Sequence, residues 1–170
     1  GFFKSSRLLL NKHDSYFERY VYSLVLESKV KQAVNEIKQN LKKNNSRFFE
    51  AYLLLALDSL KKKDFTRSKL YLEQSYEFID ADKFKSIIYQ SIQEYIYTFQ
   101  EGKILETKKN FGELSSINKV FQKCYLDNKN TKNYFINLIN NIKNKNDSRY
   151  TFFLVNYLIE NHKYDEVKKI

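Results

Sequence analysis

The sequence predicts an all-α fold, an α-α superhelix in which antiparallel helix hairpins stack as a right-handed solenoid. Three observations predict it. The chain contains no proline and only three glycines, so the turn chemistry on which many-stranded sheets depend is nearly absent. A short pattern recurs at a spacing close to the 34 residues of a helix–turn–helix repeat. Within each predicted helix, apolar residues recur at three- and four-residue steps, as they do in a helix that buries one face.

The recurring pattern marks the turn inside each predicted hairpin. It consists of a polar residue, a large apolar residue, two mostly polar residues and a small or β-branched residue, and it occurs at 29–33, 64–68, 103–107 and 163–167. The first two copies begin 35 residues apart, at positions 29 and 64, and the third follows 39 residues later. The last interval is 60 residues, which leaves room for one more hairpin that turns near residues 128–131.

The spacing of the recurring pattern sets the bounds of the predicted hairpins. We predict a single repeat segment over residues 1–170 that begins with the second helix of an earlier hairpin. That helix covers residues 2–11, and the hairpins cover approximately residues 14–43, 47–79, 83–115, 116–144 and 147–170. A solenoid needs polar caps at its ends, and neither end of this sequence has the composition of a cap. We therefore expect the segment to belong to a longer array.

Each predicted helix has its own apolar stripe. The stripes of the first helices contain Phe17, Tyr20, Val21 and Leu24, then Tyr52, Leu55 and Ala56, and in the last hairpin Leu154, Val155 and Leu158. The second helices repeat a four-residue step, in Ala33 with Ile37, Ser68 with Leu72, and Thr107 with Phe111. Helix pairs of this kind bury their stripes against each other.

A small residue after the turn, paired with a bulky residue four positions later, resembles the pattern of the tetratricopeptide repeat family. The leucine-rich segment 51–63 resembles divergent bacterial members in particular. The chain departs from the family pattern in lacking its closing proline. The resemblance implies a concave groove lined by the first helices of successive hairpins, and a partner that is a protein or peptide segment.

The resemblance also assigns the residues of that groove. The candidates are Glu18, Tyr22, Leu53, Leu57, Tyr89, Ile96, Phe99, Arg149, Phe152 and Asn156. A contiguous exposed apolar surface marks an interaction site, but aromatic stripes at helical spacing also pack into cores, and both interpretations stay open. Family members that clamp a terminal carboxylate use lysine and asparagine where this chain has Glu18, Tyr22, Leu53 and Leu57, so we expect no carboxylate clamp.

The net charge of +10 and the pI of about 9.4 suggest a second class of partner, nucleic acid or an anionic surface. Two facts weaken that interpretation. The positive residues are scattered along the chain, and the abundant lysine, asparagine, tyrosine and phenylalanine share AT-rich codons, which explain the basic composition without a ligand. We therefore expect a protein partner rather than nucleic acid.

No motif in the sequence predicts catalysis. His13 lies beside the helix-start signal Asp14-Ser15, His162 falls in a predicted turn, and Cys124 is the only cysteine. No phosphate-binding, metalloprotease or nucleophile motif occurs. We predict no catalytic residue, no metal site and no cofactor.

The leading functional hypothesis is a non-enzymatic scaffold or adaptor that binds a partner protein segment in an apolar and aromatic groove. Two alternatives remain: a basic module that binds nucleic acid or an anionic surface, and a regulatory repeat segment of a larger enzyme. No apolar stretch approaches the roughly 20 residues of a membrane-spanning helix. The sequence is compatible with the cytoplasm and with the periplasm, and it predicts no oligomeric state.

Overall fold

A computed structural model describes residues 15–41, 46–106, 111–127, 129–141 and 149–170. In these ranges the chain forms helices and no strand, which confirms the all-α prediction. The helices are α1 (Tyr16–Leu26), α2 (Val30–Asn40), α3 (Phe49–Lys61), α4 (Phe65–Ser75), a 3-10 turn (Tyr76–Phe78), α5 (Lys83–Glu101), α6 (Glu113–Tyr125), α7 (Thr131–Asn141), α8 (Arg149–Glu160) and α9 (Tyr164–Val167). Sequence neighbours pack together among α1 to α4 and among α6 to α9, and this pairwise packing fits a helical solenoid. The chain divides into two compact units, residues 1–96 and 97–170.

The core of the first unit is formed by the stripes that the sequence predicts. Phe17 and Val21 of α1 are buried against Ile37 of α2 and Leu55 of α3. Because these residues recur at three- and four-residue steps, each helix turns one apolar face inward. A smaller cluster joins α3, α4 and α5, and it contains Ala56, Leu72 and Ile96.

Small residues allow the helices of the second hairpin to approach closely. Ala56 of α3 and Ser68 of α4 are both fully buried, and the Ser68 hydroxyl donates a hydrogen bond of 2.8 Å to the Ala56 carbonyl oxygen. This bond satisfies the only polar group that Ser68 adds to the contact. The α3–α4 crossing therefore depends on the small size of both residues.

Three hairpin turns share one backbone geometry, in which a non-glycine residue adopts a left-handed conformation. These residues are Ser28, Lys63 and His162, with φ angles of 60°, 60° and 57°. In each turn the following amide donates to the carbonyl five residues earlier, over 2.8–3.0 Å; the pairs are Lys29 N with Leu24 O, Asp64 N with Ser59 O, and Lys163 N with Leu158 O. This is the Schellman motif, which satisfies carbonyls that the end of a helix leaves unpaired.

Glycine at one of these turns is expected to stabilise the fold. A side chain in the left-handed region costs energy that glycine does not, so Lys63→Gly should raise the free energy of unfolding by about 0.5–1 kcal/mol. Lys63→Ala is the control, because it removes the same charge and keeps the Cβ atom. Urea unfolding followed by circular dichroism measures both. Equal stability of the two variants would contradict the expected backbone gain, because they differ only in the Cβ atom.

The core of the second unit forms among α6, α7, α8 and α9. Its buried residues are Val120, Phe135, Leu138, Leu154, Tyr157 and Leu158. The Phe135 ring contacts Phe121 of α6 edge-on, with ring centroids 5.7 Å apart, and lies 6.2 Å from Tyr157 of α8. At the end of α5, the buried Thr98 hydroxyl donates to Gln122 of α6 over 3.2 Å.

The third predicted hairpin differs from the structure. The sequence predicts a second helix that contains Thr107 and Phe111, but residues 103–106 and Phe111 are not helical, and residues 107–110 lie outside the described ranges. Two glycines bracket this segment: Gly102 has a φ of 65° and Gly112 a φ of 67°. Gly102 directly follows the last residue of α5, and Gly112 immediately precedes α6, so the long helix α5 ends before the predicted turn is complete. The helix predicted at residues 2–11 also lies outside the described ranges.

Candidate interaction surface

The predicted groove residues fall in both units, so each unit is considered alone. In the first unit, five side chains on the first helices of the two hairpins form a surface that we call the α1–α3 surface: Glu18, Tyr22, Glu50, Leu53 and Leu57. Glu18 and Tyr22 lie one turn apart on α1, and the other three residues lie at three- and four-residue steps on α3, so each set shares one helix face. Glu50 is an addition to the residues that the sequence predicts.

Tyr22 connects the two helices of this surface. Its phenol hydroxyl donates a hydrogen bond of 2.7 Å to Glu18 Oε1, and its ring meets Phe48, the residue before α3, edge-on at 6.2 Å. Burial, the hydrogen bond to Glu18 and the negative charge of Glu50 all raise the pKa of Tyr22 above its ordinary value. The phenol therefore stays protonated and remains a donor between two carboxylates.

The leucines of the surface remain accessible. Leu57 is 38% exposed, although neighbouring residues of α3 such as Leu55 and Ala56 are fully buried. Leu53 is half-buried, because one side of it packs on the cluster formed by Ala56, Leu72 and Ile96. The surface therefore combines apolar area with two carboxylates.

Two predicted groove residues on α5 belong to the packing of the first unit. Ile96 is only 4% exposed and lies in the cluster with Ala56 and Leu72, so it offers no surface to a partner. Tyr89 is half-buried against the same cluster, and its ring meets Tyr76 at 5.3 Å. The physical reason is that α5 buries the face carrying Tyr89 and Ile96 against α3 and α4, which is the core interpretation left open by the sequence.

The remaining predicted positions lie in the second unit, and two of them carry aromatic rings. Phe152 is 61% exposed and contacts the adjacent Phe153 edge-on at 5.8 Å. Phe99 is half-buried, with its ring 4.2 Å from that of Tyr125. Arg149 is exposed and Asn156 is half-buried. The sequence analysis did not assign the exposed Phe153 and Tyr125 to the groove. One signal was present for Phe153: two adjacent phenylalanines cannot both lie on a single helical stripe.

No family model, curated protein or solved structure matches this chain.

His162 and Cys124, the histidine and the cysteine of the described ranges, both lie in environments that have a structural explanation. His162 occupies the left-handed position of a turn, and its Nδ1 lies 3.2 Å from the Tyr164 hydroxyl. Burial raises the pKa of the Cys124 thiol, with smaller contributions from Glu160 and Asp127, so the reactive thiolate is disfavoured. Within the described ranges no group of three His, Cys, Asp or Glu side chains could hold a metal ion. His13 lies outside those ranges.

A cleft of about 280 Å³ lies between α6 and α7 in the second unit. Its lining includes Lys119, Lys123, Tyr134 and Asn137. Lys123 Nζ sits 3.2 Å from the centre of the Tyr134 ring, so a cation–π contact already engages this ammonium group.

None of the helices in the described part of the chain is long and apolar enough to cross a membrane.

The two hairpins of the first unit are joined by an ion-pair network. Asp58 of α3 accepts hydrogen bonds from Lys38 of α2 at 2.9 Å and from Lys62 at 2.7 Å. Burial alone would raise the pKa of Asp58, but the hydrogen bonds and charges of Lys62 and Lys38 together lower it below its ordinary value of 3.8. The ionised form of Asp58 therefore stabilises the folded state.

This network predicts a pH-dependent loss of stability. Because the pKa of Asp58 is lower in the folded state, its contribution is complete above the unfolded value of 3.8 and is lost as the pH falls through the folded pKa. At pH 7, Asp58→Asn should lower the free energy of unfolding by about 0.5–1 kcal/mol. That difference should vanish well below pH 4. Urea unfolding across this pH range measures it, with Glu77→Gln, an exposed carboxylate, as the control.

Proposed function

We propose that this chain is a non-enzymatic scaffold that binds a segment of a partner protein on the α1–α3 surface. The supporting observation is the exposure of Leu57, which lies one turn after the half-buried Leu53 on the same face of α3. A contiguous exposed apolar patch marks an interaction site, and Leu53 and Leu57 are adjacent on one face of α3. We further propose that the hairpins stack as a superhelix of the tetratricopeptide type, in which the first helices line one binding face.

The chemistry of this surface supports the recognition of a protein segment. Leucine and tyrosine side chains offer apolar area to the face of a helix or to an extended segment. The Tyr22 hydroxyl and the carboxylates of Glu18 and Glu50 add polar groups at the edge, which orient an apolar ligand.

A capture experiment tests this proposal. The wild-type chain and the double variant Leu57→Asp, Tyr22→Ala are immobilised and exposed to a lysate of the source cells. The double variant should recover at least tenfold less of every specifically bound protein, because a buried aspartate without a partner opposes apolar contact. The matched control is Leu70→Asp, since Leu70 is 50% exposed on α4 rather than on the proposed surface. Circular dichroism establishes that all three proteins are folded.

Equal recovery by wild type and the double variant would contradict the α1–α3 surface as the binding site. Equal loss in Leu70→Asp would show that any added charge disrupts capture, and it would contradict the site as well. The basic alternative makes a different prediction, namely steeply salt-dependent retention of the chain on nucleic acid. Such retention, together with the failure of protein capture, would favour that alternative.

A further inference from the structure

The α1–α3 surface is locally negative, although the chain as a whole carries a net charge of +10. Glu18 accepts the hydrogen bond of the Tyr22 phenol, and Glu50 lies two residues after Phe48, whose ring contacts that of Tyr22. Within the described part of the chain, no lysine or arginine forms an ion pair with either carboxylate. Asp58, on the same helix as Glu50, is by contrast held by two lysines.

We propose that the segment bound on the α1–α3 surface is cationic and amphipathic: a lysine or arginine pairs with Glu18 and Glu50 around Tyr22, and a neighbouring apolar side chain packs on Leu57. This inference rests on the proposed function and names the chemistry of its partner. Glu50, Leu53 and Leu57 lie within two turns of one another on α3, and Tyr22, which is bound to Glu18 of α1, contacts Phe48 directly before that helix. One short segment can therefore meet the charged and the apolar parts together.

Charge complementarity decides between the possible occupants. An acidic segment would bring like charges against Glu18 and Glu50, which is costly in a partly desolvated contact. A neutral apolar segment would cover Leu57 but would also desolvate the two carboxylates without compensation. Lysine and arginine solve both problems, because their long aliphatic stems cover leucine while the charged group reaches a carboxylate.

The two glutamates also have a structural role that the test must separate from binding. Both lie in the first turn of their helices, where a carboxylate offsets the positive end of the helix dipole. Replacing them is therefore expected to lower stability slightly, whatever binds to the surface. Only a binding measurement that depends on the charge of the ligand distinguishes the two roles.

The experiment uses three synthetic 16-residue peptides that share one leucine face with three- and four-residue spacing. Their flanking positions carry lysine in the first, glutamine in the second and glutamate in the third. Binding to the whole chain is followed by fluorescence anisotropy. The lysine peptide should bind most tightly and should weaken as salt is added, because exposed charge pairs are screened. The double variant Glu18→Gln, Glu50→Gln should bind it about tenfold more weakly, the equivalent of two surface ion pairs.

A matched variant isolates the position of the charges. Glu73→Gln, Glu77→Gln removes the same charge from exposed positions on α4 and the adjoining 3-10 turn, and it should bind the lysine peptide as wild type does. Binding of the glutamine peptide should be unchanged by either double variant. Equal affinity of the wild type for the lysine and glutamate peptides would overturn the inference, and so would an equal loss in the two double variants.

Different experimental results would contradict the cationic preference and the proposed function. If all three peptides bind with equal affinity and Leu57→Asp abolishes that binding, the surface is a binding site without a preference for cations. If no peptide binds and the capture experiment also fails, both proposals are wrong.

A second copy of this chain, which is rich in lysine, is the competing occupant of the α1–α3 surface. Sedimentation of a wild-type dimer that Glu18→Gln, Glu50→Gln converts to monomer would overturn the assignment to a separate partner.

Discussion

Replacing Phe135 by alanine is expected to lower the free energy of unfolding by about 3–5 kcal/mol. Phe135 is 1% exposed at the centre of the second unit, where its ring contacts Phe121 of α6 and Tyr157 of α8. Alanine would leave a cavity among three helices, and the neighbouring aromatic rings would lose their contacts. Urea-induced unfolding followed by circular dichroism measures the loss.

The control for this variant is Phe152→Ala in the same unit. Phe152 is 61% exposed, so the same change in chemistry removes little buried area and should change stability by no more than about 0.5 kcal/mol. A large loss in Phe152→Ala would mean that this ring is packed against part of the chain, which would remove it as a contact for a partner. A small loss in Phe135→Ala would contradict the core arrangement of α6, α7 and α8.

The second large effect is expected from Ala56→Leu at the crossing of α3 and α4. Ala56 is fully buried, and its carbonyl accepts the hydrogen bond from the Ser68 hydroxyl. A leucine side chain at this contact forces the two helices apart or into strained rotamers, which costs about 1–3 kcal/mol. The separation also lengthens the Ser68 hydrogen bond, so we expect a loss near the upper end of that range.

Ala81→Leu is the matched control, because Ala81 is the one exposed alanine of the four in the sequence. It makes the identical substitution outside the helix contact and should change stability by less than about 0.5 kcal/mol. Thermal unfolding of the two variants beside wild type provides the comparison. An unchanged transition in Ala56→Leu would show that the crossing has space for a larger side chain, contrary to the packing described above.

The helices of the first two hairpins could be predicted from local signals. The three- and four-residue apolar steps in α1 and α3 determine which face each helix buries, and Val21 and Leu55 are fully buried as that periodicity requires. The small residues Ala33 and Ser68 follow their turns at the positions where the helices meet, and both are fully buried. These features depend on neighbours close in sequence.

The end of α5 and the start of α6 could not be predicted in the same way, because a glycine lies at each of these two points. Gly102 and Gly112 adopt left-handed conformations at the end of α5 and just before α6, and the four-residue step from Thr107 to Phe111 carried no information about either. A glycine that ends one helix and another that precedes the next are recognisable signals. A fixed repeat period conceals them.

Groove residues were harder to predict than core residues. The assignment of Ile96 to a surface assumed that α5 faces its neighbours as α1 and α3 do, whereas α5 turns this residue into the cluster with Ala56 and Leu72. The rotation of a helix about its own axis depends on tertiary contacts, which the apolar periodicity of its sequence does not specify. Glu50 was missed for the same reason, since the contact between Tyr22 and the start of α3 joins residues far apart in sequence.

The shared geometry of the turns at Ser28, Lys63 and His162 has an evolutionary consequence. The same motif forms around serine, lysine and histidine, so its conformation is imposed by backbone hydrogen bonds and by the packing of the flanking helices. Positions of this kind can exchange one side chain for another while the chain path is preserved. A repeated architecture can thus outlast the similarity of its units in sequence, and the hydrogen-bond pattern of the turns becomes the more durable record of the repeat.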